Sequence, residues 1–139
     1  MAETLQKVGV WMNELKVLFH INESNRWKIV LVNITNLLND VGQDNVNIEV
    51  VINGEAVSIF KNGCQPTECS GSCYGSTNES LLEQMEKLSE VGVNFVVCRN
   101  SLKGQFIDEN SLPDFVTVVP AGITEIVKKQ AEGYAYIKP

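Results

Sequence analysis

Short apolar runs of strand length alternate along this chain with stretches whose apolar residues recur every three or four positions. That alternation leaves few folds open. The runs are KVLFHI (16–21), NIEVVI (47–52), NFVV (94–97), FVTVV (115–119) and YAYI (134–137), rich in β-branched and aromatic residues. Between the first two, Trp27, Val30, Leu31, Ile34, Leu37, Leu38 and Val41 mark one face of an amphipathic helix. Ser24 or Asn25 is its expected cap and Gly42 its stop. Residues 55–60 (EAVSIF) read as a short helix and not as the return strand of an Asn53-Gly54 hairpin. Leu81, Leu82, Met85, Leu88 and Val91 mark a second long helix that ends at Gly92. A short helix is expected over 101–106. Pro120-Ala121-Gly122 opens a last one carrying Ile123, Ile126, Val127 and Gln130, stopped at Gly133.

Strands that alternate with helices predict a three-layer α/β/α domain with a mainly parallel, flavodoxin-like or Rossmann-like sheet of about five strands. Right-handed crossovers make 2-1-3-4-5 the favoured strand order. The chain has 139 residues, enough for one core, so residues 15–139 are read as one domain. Residues 1–14 form an N-terminal extension, and residues 62–78, rich in Gly, Ser, Asn and Cys, form an insertion.

Eleven basic against seventeen acidic residues give a net charge of −6, which argues against nucleic acid or an anionic membrane as partner. No apolar run approaches the ~18 residues of a membrane span. The N-terminus lacks the basic and apolar regions of a signal peptide, so the expected location is cytoplasmic, where thiols stay reduced. GxGxxG, GxxxxGK[ST] and GxSxG motifs are absent. After the first strand, Asn22-Glu23-Ser24-Asn25-Arg26 makes a poor phosphate loop, because Glu23 repels phosphate. No cofactor is expected.

Sulfur is the remaining chemistry. Ligands of open α/β sheets bind beyond the carboxyl ends of the strands. Those ends carry His20 to Asn25, Asn53 to Glu55, Cys98 to Ser101, and Pro120 to Gly122. Cys98 stands at a strand-to-helix junction with Arg99 beside it, and a helix N-terminus and a cation both favour thiolate. In a 2-1-3-4-5 order the first and third strands are neighbours, which would pair His20, the only histidine, with Cys98. Cys64, Cys69 and Cys73 follow a C-x4-C-x3-C spacing that matches no CxxC knuckle. They are candidates either for a metal site, holding zinc or an iron–sulfur cluster with a fourth ligand, or for thiols that resolve an oxidised Cys98. A small-molecule-binding or metal-binding module without catalysis is the alternative to a reactive cysteine.

Four stretches in order, KVLFHINESNRWKIVLVNITNLL, IEVVINGEAVSIF, GVNFVVCRNSL and VVPAGITEIVKKQAEGYAYIKP, resemble the DsrE/DsrF-like (YchN-like) family, in its stand-alone branch, from about residue 15 to the C-terminus. The resemblance implies a compact α/β/α domain assembled as a homotrimer or homohexamer. It also implies that Cys98 carries persulfide sulfur between a donor and an acceptor protein. Arg99 would then stabilise the anion and His20 tune its protonation. Asn22, Asn53, Gly54, Asn100, Ser101 and Pro120 would line the cleft. Trp11, Tyr134 and Tyr136, large aromatics near the termini, suit burial against further copies. The Cys64–Cys73 insertion and the N-terminal extension depart from the family pattern.

Overall fold

The computed structural model describes residues 15–61 and 75–139. Its sheet has five parallel strands: β1 (Leu15–Ile21), β2 (Val46–Ile52), β3 (Asn94–Cys98), β4 (Val116–Val119) and β5 (Ala135–Ile137). The helices are α1 (Trp27–Val41), α2 (Gly75–Glu90), α3 (Arg99–Gly104) and α4 (Gly122–Ala131). A 3-10 helix, Gly54–Phe60, follows β2 where a short helix was expected.

The strand order is β4-β3-β2-β1-β5, not 2-1-3-4-5. Each step from β1 to β4 moves the same way across the sheet, so the intervening helices share one face. The main core lies there. It joins Val17, Phe19, Ile21, Ile48, Val50, Ile52, Phe95 and Val97 to Trp27, Val30, Leu31 and Ile34 of α1, Leu81 and Met85 of α2 and Leu102 of α3. The chain then returns past the whole sheet to place β5 beside β1, and among the described residues α4 is the helix that covers the opposite face. Hydrophobic periodicity identifies the inward residues of each strand, but carries no information on the direction in which a crossover steps.

Strand alternation divides the side chains between these faces. On the α4 side stand Leu18 and His20 of β1, Glu49 and Val51 of β2, Val96 and Cys98 of β3, and Tyr136 of β5. Cover is thin: only Gly122 and Ile126 of α4 are buried, while Ile123 and Val127 are exposed.

Local chemistry sets the ends of the elements. α1 is entered through a 3-10 turn over Ser24–Arg26, and neither Ser24 nor Asn25 caps it, contrary to expectation. The turn itself leads the backbone into the helix, so no side-chain acceptor is recruited. Trp27 donates its Nε1–H to the Ala56 carbonyl at 3.1 Å, tying α1 to the 3-10 helix after β2. Gly54 adopts φ +58°, and a Cβ there would meet the Asn22 carbonyl oxygen at 3.3 Å. A side chain is thus doubly disfavoured at the point where the loops after β1 and β2 touch. The N-terminal extension, with Trp11, lies outside the described residues, as do Cys64, Cys69 and Cys73.

Candidate functional site

Cys98 is the last residue of β3, on the α4 face, and is 6% exposed. Burial alone would raise its thiol pKa. The Ser101 hydroxyl and the backbone N–H groups of Gly122, Ser101 and Asn100 work the other way and together hold the pKa below the ordinary thiol value. With six residues, α3 is too short for its dipole to dominate, so individual hydrogen bonds account for the shift.

Gly122 was expected only as a strand-end residue beside Pro120, with no role at the cysteine. It opens α4 and lies directly on the site. A Cβ at this position would stand 3.3 Å from the Cys98 Cβ and 3.4 Å from the Asn53 Cβ and the Val51 Cγ1. A side chain here would push the first N–H of α4 a few tenths of an ångström away from the sulfur. The signal was present as the Pro-Ala-Gly sequence after β4, but only the strand order shows that β4 delivers it beside Cys98.

Ser101 links two parts of the site. Its Oγ accepts from the Gly54 N–H at 2.8 Å, which leaves the hydroxyl hydrogen for the Cys98 sulfur. Gln105 adds a second tie, donating Nε2–H to the Gly54 carbonyl at 3.0 Å. The Asn53-Gly54 turn is thereby tied to the first turn of α3 and to the residue that follows the helix.

His20 is 7% exposed and bonded at both ring nitrogens. Its Nε2 lies 3.0 Å from Asn53 Oδ1 and its Nδ1 lies 2.6 Å from the Tyr136 hydroxyl. With the amide oxygen facing it, Nε2 is the protonated nitrogen, and the Tyr136 O–H donates to Nδ1. The expected pairing of His20 with Cys98 is not formed. β2 separates β1 from β3, and Cys98 lies two residues beyond the position in register with His20, which places the two residues about 12 Å apart; the sulfur's partners are Ser101, Gly122 and Asn100. Asn53 stands between them. His20 bonds the Asn53 side chain and not the sulfur.

Arg99 also departs from expectation. Its guanidinium points along the surface to Glu109, with Nε at 2.6 Å and Nη2 at 3.4 Å from the carboxylate oxygens. This pair raises the Arg99 pKa and engages the charge away from the sulfur. Arg99 lies one residue beyond the strand as the first residue of α3, and its half-exposed side chain runs to the surface. Asn100 contributes its backbone N–H and not its side chain. Pro120 is exposed and lines a small pocket of about 150 Å³ with Val119, Ala121, Thr124, Glu125 and Lys128, at the β4–α4 edge. Asn22 borders Gly54, and its buried Oδ1 has no hydrogen-bond partner among the described residues.

Tyr134 and Tyr136 have intrachain roles. Tyr136 binds His20, and the Tyr134 ring lies between the Lys16 and Lys129 ammonium groups, 5.9 and 5.2 Å from its centroid. Among the described residues no group of three or more His, Cys, Asp or Glu side chains could hold a metal, and no helix is long and apolar enough to cross a membrane.

A three-layer parallel α/β domain with a shielded, hydrogen-bonded cysteine at a central strand end defines the class of protein. The chain belongs to the DsrE/DsrF-like family, whose model matches residues 16–139. It is similar to a solved protein of unknown function, MTH1491 from Methanobacterium thermoautotrophicum, with 30% identity and a TM-score of 0.71. The match covers 90% of this chain and 99% of that one. No curated protein matches it.

Proposed function

We propose that this protein is a cytoplasmic sulfur carrier that holds persulfide sulfur on Cys98. The observation that carries this reading is the Cys98 thiol, lowered in pKa although buried, because one hydroxyl and three backbone N–H groups converge on its sulfur. Family membership supports it. The Cys98 thiolate attacks the outer sulfur of a donor protein persulfide. A new S–S bond forms to Cys98, the donor's S–S bond breaks, and the donor leaves as a thiolate. An acceptor thiolate later attacks the terminal sulfur and expels Cys98 as thiolate. Neither step changes the net oxidation state. A low thiol pKa makes Cys98 a good leaving group in the second. The same four donors stabilise the anion at the beginning and end of the cycle without a cation. Arg99 has no part in it.

Homotrimers or homohexamers are the assembly this reading carries, supported by the exposed apolar residues Ile123 and Val127 on α4 and Ile137 on β5. Sedimentation gives the number of copies. Incubation with a persulfide donor followed by peptide mass spectrometry tests the chemistry. The expected result is an adduct of about 32 Da, one sulfur atom, on the Cys98 peptide, absent in Cys98→Ser. Sulfur found only on Cys64, Cys69 or Cys73 overturns the assignment.

A further inference from the structure

Glu49 lies on β2 beneath α4 and is 2% exposed. Its Oε1 accepts from Asn94 Nδ2 at 3.0 Å and lies 3.7 Å from Lys129 Nζ. Its Oε2 is buried and accepts from no N–H or hydroxyl group among the described residues. The group that bonds Glu49 from above is another carboxyl, that of Glu125 on α4. Two carboxyl groups hydrogen-bond only when one of them carries a proton.

We infer that Glu49 and Glu125 share one proton across the sheet–α4 interface, and that this bond positions the Gly122 N–H of α4 against the Cys98 sulfur. Glu125 follows Gly122 by three residues, less than one helical turn, so a contact that fixes Glu125 fixes the first turn of α4. Few other contacts hold that turn down, since only Gly122 and Ile126 of the helix are buried. Glu49 is a positioning residue in this arrangement and does not touch the sulfur.

The groups around Glu49 support a held proton. From β1 it faces Leu18 in register, and Lys16 is engaged with the Glu132 carbonyl and the Tyr134 ring. From β3 it faces neutral Asn94. From α4 it faces Glu125 and Lys129, and the Lys129 ammonium also pairs with Glu132 at 3.6 Å. One close ammonium is thus shared among three carboxyl groups. Burial first, then the hydrogen bond and charge of Glu125, push Glu49 up to about 8, while Lys129 and Asn94 pull it down. Glu125 lines the pocket beside Pro120, through which the proton can exchange with water. Above that pH two facing carboxylates repel, the first turn of α4 lifts, and Cys98 loses both one N–H donor and part of its cover.

The inference concerns the placement of Cys98 and not the sulfur it carries. Iodoacetamide alkylation of the full chain, read on the Cys98 peptide from about pH 5 to pH 10, tests it. The wild type should show a second rise of roughly tenfold near pH 8, beyond the ionisation of Cys98 itself. Glu49→Gln keeps a donor for Glu125 and an acceptor for Asn94 but cannot titrate, and should follow a single ionisation. Hydrogen exchange of the α4 amides should steepen near the same pH in the wild type and not in E49Q. Glu125→Gln supplies Glu49 with a donor that needs no proton, so the second rise should move to lower pH. A single-ionisation profile in the wild type, or an unmoved second rise in either variant, overturns the inference. Should E49Q fail to fold, E125Q carries the test. A two-step profile with no persulfide on Cys98 would support the proton latch and remove the sulfur-carrier reading. Persulfide on Cys98 with a one-step profile would do the reverse.

Discussion

Gly122→Ala probes the contact on which the site depends. The added methyl would stand 3.3 Å from the Cys98 Cβ and 3.4 Å from the Asn53 Cβ and Val51 Cγ1. A Cβ atom cannot rotate away, so relief must come from α4 rising by a few tenths of an ångström. Overpacking of this kind costs about 1–3 kcal/mol, and replacing glycine in a helix returns about 0.5–1, so a net loss of about 1 kcal/mol is expected. The same movement stretches the Gly122 N–H bond to sulfur. A hydrogen bond to a charged acceptor contributes about 1.5–3 kcal/mol, and losing about 1 of it reduces the thiolate fraction about fivefold below the titration midpoint. Urea unfolding measures the first effect and the pH profile of Cys98 alkylation the second. An unmoved Cys98 midpoint would refute the claim that Gly122 stabilises the thiolate. Unchanged or increased stability would refute the packing argument.

Ser101→Ala removes the hydroxyl that serves both Cys98 and Gly54; the Cys98 midpoint should move up, with the thiolate fraction at neutral pH falling by up to about tenfold. Tyr136→Phe leaves the Nδ1 of buried His20 without its donor and should cost about 1 kcal/mol in urea unfolding, with the Cys98 titration unchanged because Asn53 intervenes. Arg99→Ala should leave both the Cys98 titration and the unfolding midpoint where they are, since the guanidinium is engaged with Glu109 in an exposed pair; a shifted Cys98 midpoint would restore a role for the cation. Because the folded state raises the pKa of Glu49 from 4.5 to about 8, the folded form binds the proton more tightly than the unfolded chain. Wild-type stability relative to E49Q should be greatest below about pH 4.5, fall as pH rises to about 8 and stay level beyond; a difference independent of pH across that window would show that Glu49 does not hold the proton.

The strands and principal helices were legible because each buries a face whose spacing is written in the residues. Trp27, Val30, Leu31 and Ile34 form the buried face of α1, and Val17 to Ile21 are buried throughout. Cys98 was legible for the same reason: it ends an apolar run, and the end of a parallel strand is where an α/β sheet presents a reactive group. Its partners were not. Whether His20 or Asn53 lies next to Cys98 depends on strand order, and the apolar pattern of β1, β2 and β3 is equally compatible with 2-1-3-4-5 and with β4-β3-β2-β1-β5. Arg99 illustrates the limit of adjacency: it follows Cys98 directly, yet it opens α3 and its side chain is taken at the surface by Glu109.

Periodicity and strand-end chemistry are local properties, and they suffice to mark an α/β domain of DsrE/DsrF-like pattern with a cysteine at a strand end. What surrounds that cysteine is a matter of packing. The return of the chain after β4 brings Gly122 onto Cys98 and Glu125 onto Glu49, and those contacts join residues far apart in the chain. A thiol's protonation depends on which donors stand within a few ångströms of it. That proximity is set by how the strands are ordered, which no local pattern encodes.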